Sequence, residues 1–227
     1  MAESDDRARA AMLDRQLRGR GITDEAVLAA MGTVPREHFL PAERRHLAYE
    51  DQAVPLERGQ TVSQPYIVAA MTQALHVHPG DRILEIGTGS GYQAAVLAHM
   101  DARVFSVERL SDLADQARRR LRGLDIDDVR IRVGDGTLGW PEEAPFDGIL
   151  VTAAAPDVPP SLKDQLSGDG GRLVIPVGPR HLQELVRYVR EGTELTRDTL
   201  MGCRFVPLVG EERSEERRVG KECIVKC

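Results

Sequence analysis

Cysteine is scarce in this chain of 227 residues: there are three, none at metal-ligand spacing. That excludes a disulfide framework and a cysteine-held zinc site. Long apolar runs are missing as well. None approaches the roughly 20 residues a membrane helix needs. The opening segment, Met1 to Asp6, is acidic and lacks an apolar signal core, so the expected location is the cytoplasm. Positive charge is in deficit too: the formal net charge is −6. A general binder of phosphate backbones would want a basic face, so nucleic acid is not an expected partner. What remains is ordinary for a soluble globular protein, 41% apolar and 29% charged. The length fits one large domain, or one domain with a small extension.

The last residues stand apart. Arg213 to Cys223 has no period of a helix or a strand and is dense in charge. Its sequence, RSEERRVGKEC, equals an in-frame translation of a common sequencing adapter. Residues 213–227 are therefore read as a non-native tail and left out of fold reasoning. The tail holds five basic and three acidic residues, so the remainder carries −6 − 2 = −8. It also holds two of the three cysteines, leaving Cys203.

The most informative stretch is Arg82 to Tyr92. An apolar strand (Ile83, Leu84, Ile86) runs into Gly87, Gly89 and Gly91, and the helix-forming segment Gln93 to Ala98 follows. Strand, glycine turn and helix are how a parallel α/β sheet offers backbone N–H groups to a nucleoside cofactor. A side chain would block that approach. A dinucleotide fingerprint would put its third glycine at position 92, which is Tyr92. The pattern is instead E-x-G-x-G-x-G, with Glu85 two residues before the first glycine. It resembles the first motif of class I S-adenosylmethionine-dependent methyltransferases. An ordinary structural turn is the competing reading.

Along the chain, residues 5–18 suggest a helix ended by Gly19 and Gly21. A second helix is capped by Thr23 or Asp24, and a third runs from Pro65 to about Leu75. Residues 36–62 look irregular. From Asp81 strands alternate with helices: strands at 82–86, 103–107, 129–133, 147–152 and 172–176, helices at about 91–100, 111–122 and 159–166. That alternation predicts a Rossmann-like doubly wound α/β fold with a mostly parallel sheet. Two further strands, 183–190 and 200–208, predict a C-terminal antiparallel hairpin. The expected organisation is a helical N-terminal portion over 1–80 that contributes to the substrate site, an S-adenosylmethionine-binding domain over 81–212, and the tail.

Ligands of such a sheet bind beyond the carboxyl ends of the strands. Strand one ends in Glu85 and the turn Gly87-Thr88-Gly89-Ser90-Gly91. Strand two ends in Glu108, 21 residues after Gly87, where an acid can accept both ribose hydroxyls. Strand three ends in Gly134-Asp135-Gly136. Asp135 could take an adenine amino group, with Gly136 leaving room for the ring. Strand four ends at Thr152-Ala153-Ala154-Ala155-Pro156, small residues around an open crevice. Each acid alone could be a solvated or capping carboxylate. Together they suit a cofactor with a sulfonium and an ammonium better than one with two phosphates. The Thr152–Pro156 segment also lacks the Asp/Asn-Pro-Pro of adenine-amino methyltransferases and the Pro-Cys of cytosine-carbon enzymes.

A second informative stretch is Gly59 to Pro65, in which Ser63 could simply cap the following helix. The whole assembly resembles the protein-L-isoaspartate O-methyltransferase family over about residues 8–210. The resemblance rests on Val34-Pro35-Arg36-Glu37-His38-Phe39, Thr61-Val62-Ser63-Gln64-Pro65, Glu85 to Tyr92, Ser106-Val107-Glu108-Arg109, Gly134-Asp135-Gly136, Phe146-Asp147 with Val151-Thr152-Ala153-Ala154, and Arg204 to Val209. It implies that Ser63 is the active-site residue, with Thr61, Val62, Thr152 and Ala153 beside the substrate. It implies S-adenosyl-L-methionine as cofactor and no metal. The implied partners are isoaspartyl-containing proteins and peptides, with the chain acting as a monomer and binding neither nucleic acid nor membrane.

The implied chemistry explains why no catalytic His, Cys or metal is needed. The free α-carboxylate of an isoaspartyl residue has a pKa of about 3.5 to 4 and is already ionised at neutral pH. The protein need only align it with the methyl donor and exclude water. Ser63 is then a positioning donor, and the ester product cyclises unaided to a succinimide. His76, His78 and His99 read as surface or capping residues. Tyr92 suits either cofactor packing or the core. The competing functions are a methyltransferase of another peptide carboxylate, a nicotinamide-dependent oxidoreductase, and a non-catalytic nucleoside-binding module.

Overall fold

The structure is a computed structural model that describes residues 2–56, 59–168, 170–179 and 181–212; the tail assigned to 213–227 lies outside them. The chain opens with α1 (Ala2–Ala11). A π-wound turn (Met12–Leu17) and a 3-10 turn (Arg18–Arg20) follow, stopped by Gly21 at φ 89°. A single helix over 5–18 was the expectation. The five-residue spacing of the wider winding turns Met12 and Leu17 to the same side, and both are fully buried. Helix α2 (Glu25–Thr33) is capped by Asp24, whose Oδ1 accepts from the Ala26 and Val27 N–H groups.

The stretch expected to be irregular holds more structure than its sequence suggests. It contains 3-10 turns at Arg36–Phe39 and Ala42–Leu47. A small antiparallel pair follows, β1 (Val54–Pro55) with β2 (Thr61–Val62). Helix α3 (Pro65–Leu75) then begins with Gln64 in the capping position and no side-chain cap. Ser63 is thus not a helix cap.

The remaining elements alternate: β3 (Arg82–Ile86), α4 (Tyr92–Ala98), β4 (Arg103–Glu108), α5 (Ser111–Arg122), β5 (Val129–Val133), β6 (Gly148–Val151), α6 (Pro160–Asp164) and β7 (Arg172–Val177). The hairpin β8 (Gln183–Glu191) and β9 (Glu194–Cys203) completes a seven-stranded sheet of order β5-β4-β3-β6-β7-β8-β9. Strands β3 to β7 are mutually parallel, and β8 is antiparallel to both neighbours. This is the expected doubly wound fold.

The hairpin lies earlier in the chain than expected. Its turn is at Gly192, φ 63°, and β9 ends at Cys203. As an edge strand, β9 is largely solvent-facing. Its polar residues therefore carry little strand signal. Residues 204–208 leave the hairpin and pair instead beyond the end of β6. There the Ala154 N–H donates to the Val206 carbonyl at 2.8 Å, and the Leu208 N–H to the Ala154 carbonyl at 2.7 Å.

The central parallel strands β3, β4, β6 and β7 are mostly apolar on both faces because helices cover both, whereas the edge strand β5 alternates Val129, Ile131 and Val133 with Arg130 and Arg132. Ile83, Val104 and Leu150 face a core shared with α2, α3 and α4. Leu84, Ile86, Phe105, Val107, Ile149 and Val151 face a second core with Phe146 and Leu162. The first core also takes in Met12, Leu17, Val27 and Met31. The helical N-terminal portion and the sheet thus share apolar packing.

Candidate active site

Strand order reverses between β3 and β6. Open α/β sheets bind ligands at that switch point. Here β3 ends beside both β4 and β6, with Ile86 paired to Val107 and to Val151. The turn beyond β3 depends on its glycines. Gly87, Gly89 and Gly91 have φ of 95°, 53° and 91°. A Cβ on Gly87 would come within 2.4 Å of Thr152 Oγ1. That hydroxyl donates to the Ile86 and Gly87 carbonyls at 3.0 and 2.8 Å. At Gly89 a Cβ would meet nothing within 4 Å, so the loop shows bare backbone to open space.

Glu108, 7% exposed, braces this loop from the end of β4. Its Oε2 accepts from the Gly89 N–H at 2.9 Å and its Oε1 from the Leu110 N–H at 3.0 Å. Each oxygen keeps a second lone pair for a ligand hydroxyl.

Glu85 lies behind the loop, fully buried. The register places it opposite Ser106, and the Ser106 hydroxyl donates to its Oε2. Ser106 Oγ lies 2.5 Å from Thr88 Oγ1. Among the described residues Oε1 of Glu85 has no partner. Burial pushes this carboxyl up to about 8, against the pull of the Ser106 hydrogen bond, and the charge of Glu108 adds to the rise.

One cleft of about 560 Å³ opens in front of these groups. It brings together eleven of the fourteen predicted site residues: Thr61, Val62, Ser63, Gly87, Thr88, Gly89, Ser90, Glu108, Gly136, Thr152 and Ala153. Glu85, Gly91 and Asp135 are not among its lining. Gly91 instead sits in the capping position of α4 and packs against α5, where a Cβ would stand 3.3 Å from that of Ala117. Asp135 is held by its surroundings. Its Oδ1 accepts from the Thr137 N–H and hydroxyl at 2.8 and 2.7 Å, and its Oδ2 from the Glu211 N–H at 2.6 Å. The strap formed by residues 208–212 thus lies over Asp135.

The N-terminal portion supplies the facing wall. Ser63 follows β2, is half-buried, and its hydroxyl makes no hydrogen bond among the described residues. Its carbonyl accepts from Arg36 Nη2 at 2.8 Å. Neither His38 nor His46 lines the cleft. His38 Nε2 instead lies 3.0 Å from the Arg120 carbonyl. His76, His78 and His99 are exposed, as expected. Tyr92 lines the cleft yet is 1% exposed and packs edge-on against Phe39 at 5.6 Å. Among the described residues no group of three or more His, Cys, Asp or Glu could hold a metal ion. No helix there is long and apolar enough to cross a membrane.

Two contributions had no reading in the sequence. The Met201–Val209 stretch forms one cleft wall, a role its Arg204–Val209 motif does not disclose. Arg36 stands in the Val34–Phe39 motif, whose sequence alone assigns it no role.

A doubly wound sheet with a glycine turn and a strand-end acid opening on one switch-point cleft defines the class I methyltransferase type of fold. The sequence matches the family described as protein-L-isoaspartate(D-aspartate) O-methyltransferase over residues 7–213. The chain belongs to that family. It is 58% identical over 203 residues to protein-L-isoaspartate O-methyltransferase 2 of Pelobacter propionicus, covering 88% of this chain and 90% of that one. A solved protein-L-isoaspartate O-methyltransferase superposes with TM-score 0.81 at 30% identity, over 90% of this chain and 67% of the other. A Plasmodium falciparum protein described as belonging to the same enzyme type, crystallised with S-adenosyl-L-homocysteine, superposes with TM-score 0.77 at 28% identity. That match covers 88% of this chain and 98% of the other.

Proposed function

We propose that this cleft moves a methyl group from S-adenosyl-L-methionine to the free α-carboxylate of L-isoaspartyl residues in damaged proteins and peptides. The observation that carries the reading is the meeting of the Thr61–Ser63 turn with the glycine loop and Glu108 across one cleft. The donor set suits the cofactor. A carboxylate with spare lone pairs stands at the end of β4, a bare glycine backbone beside it, and the cleft-lining residues include no metal cluster. When bound, the cofactor supplies an electrophilic methyl group on a positively charged sulfonium.

The chain's own residues do the rest. Glu108 takes the ribose hydroxyls. The backbone of Gly87 to Gly89, with Thr88 and Ser90, cradles the cofactor, Gly91 shapes the turn into α4, and Glu85 supports that loop through Ser106 and Thr88. Gly136 leaves room for the adenine. Asp135 serves the adenine amino group once the Glu211 amide releases Oδ2. Ser63 donates its unengaged hydroxyl to the acceptor carboxylate, while Thr61, Val62, Thr152 and Ala153 flank the peptide. The acceptor has a pKa of about 3.5 to 4 and arrives ionised, so no base is required. The same reading has the protein act in the cytoplasm as a monomer, apart from nucleic acid and membranes, in keeping with its net charge of −6.

The test is transfer of labelled methyl to an isoaspartyl peptide beside its aspartyl isomer. Base-labile label on the isoaspartyl peptide alone is expected. Labelling of both, or of neither, overturns the reading and points to another carboxylate.

A further inference from the structure

Among the described residues Arg36 is the largest fully buried side chain, and it is not paired with an acid. Among the described residues no carboxylate forms an ion pair with it. Its Nε donates to the Ala48 carbonyl at 2.7 Å and its Nη2 to the Ser63 carbonyl at 2.8 Å. Its Cζ lies 4.8 Å from the centre of the Tyr92 ring. Among the described residues Nη1 and the Tyr92 hydroxyl are buried without a well-formed hydrogen bond, yet the two side chains lie close enough for Tyr92 to favour the guanidinium's charge. A buried cation without an acid is an expensive way to fill a core, since an apolar side chain of similar size stabilises as well or better. Burial accordingly pulls the Arg36 guanidinium below its ordinary value.

The contacts show what the fork connects. One arm ends on the carbonyl of Ser63. The face of the guanidinium rests on Tyr92, the first residue of α4, immediately after Gly91 of the glycine loop. The wall that holds the acceptor and the loop that holds the cofactor therefore meet through a single planar group. A lysine could supply the charge but not two donors at a fixed angle over a ring.

Resting on the function proposed above, we propose that Arg36 is a positioning residue for methyl transfer, whose guanidinium fixes the Ser63 turn relative to the glycine-loop helix. From behind the cleft lining, its charge also favours a carboxylate beside Ser63, adding to Arg20, Arg109 and Arg204, which line the cleft together with Glu108. Fork and charge are separable. Arg36→Met removes both, while Arg36→Lys keeps the charge and guards against a packing defect in the first variant.

With isoaspartyl peptide, Arg36→Met is expected to lower kcat about 100-fold, as a misplacement of about 1 Å does, and to raise KM. Arg36→Lys should recover KM but not kcat. S-adenosylhomocysteine affinity should stay within about twofold in both, because the cofactor loop keeps its own supports. An unchanged kcat in the folded variants overturns the proposal. So does a kcat loss matched by an equal loss of cofactor affinity, which is what a purely structural role gives. Amide hydrogen exchange at residues 61–64 provides a reading that needs no activity. Faster exchange there, with α4 unchanged, is expected in both variants, and unchanged exchange overturns the proposal. If the parent protein methylates no isoaspartyl peptide, the proposed function fails while the exchange measurement still decides the role of Arg36.

Discussion

Ser63 shows how much a single side chain's surroundings decide. Its hydroxyl is neither a helix cap nor part of a hydrogen-bonded chain, and it faces the same cleft as Glu108. Ser63→Ala is expected to lower turnover on isoaspartyl peptide about 10- to 1000-fold, the scale of a lost near-attack geometry. Cofactor affinity, measured by calorimetry, should hardly change. The ratio of parent to variant should be constant from about pH 6 to 8, because neither the serine nor an α-carboxylate titrates there. Full activity in the variant would leave Ser63 without a role in the reaction. Glu85 carries a different pH signature. Its carboxyl is pushed by burial from an ordinary 4.5 to about 8. Between those values the folded protein holds a proton that the unfolded chain releases. This group's contribution to stability is therefore lost as pH rises through that window, by at most about 1.4 kcal/mol per pH unit. Glu85→Gln should flatten the fall in Tm of the ligand-free protein between about pH 6 and 8. Parallel Tm profiles for the two proteins would show that Glu85 is not protonated in the fold.

At the scale of elements, the glycine turn is built by contacts from other strands. Gly87 has φ 95° and lies against the Thr152 hydroxyl of the β6 end. Gly87→Ala combines backbone strain of about 1–3 kcal/mol with the loss of hydrogen bonds worth about 1 kcal/mol each. Denaturant unfolding should report destabilisation of that order, and S-adenosylhomocysteine binding should be abolished. A stable variant with intact binding would mean the turn tolerates a side chain. The sequence made strand, turn and helix clear here, since the apolar run and the three glycines are local signals. It did not show that Glu85 would face Ser106, because that follows from the β3–β4 register. Nor did it place β9 correctly. A polar edge strand lacks the alternation that marks a buried one, and residues 204–208 were drawn into it by their own apolar character.

For the whole molecule, the cleft belongs to neither half alone. The helical N-terminal portion brings Thr61 to Ser63 and the sheet brings the loop, Glu108 and Thr152. The two share the core that runs from Met12 through Val68 to Leu150. A ligand bound between them should stabilise the fold as a unit. At about 100 times its dissociation constant, S-adenosylhomocysteine should contribute about 2.7 kcal/mol, or roughly 5–10 °C in Tm for a chain of this size. NAD and NADP should contribute nothing, since their phosphates would meet Glu108 at the loop. A comparable shift with NAD would revive the oxidoreductase reading.

What the sequence determined by itself was everything that rests on local pattern. The alternation of strands and helices from Asp81 onward follows from periodicity and glycine placement. The kind of cofactor follows from the spacing of Glu85, Gly87, Gly89 and Gly91 and from the acid at position 108. The motif around Ser63 marked the acceptor side. Only the tertiary structure decided which of these residues meet. It sent Glu85 behind the loop, folded the strap of residues 208–212 over Asp135, and buried Arg36 between Ser63 and Tyr92. Those are pairings between distant segments, 27 positions apart in the case of Arg36 and Ser63. Strand register and the path of the chain set them, and neither leaves a periodic trace in the residues themselves.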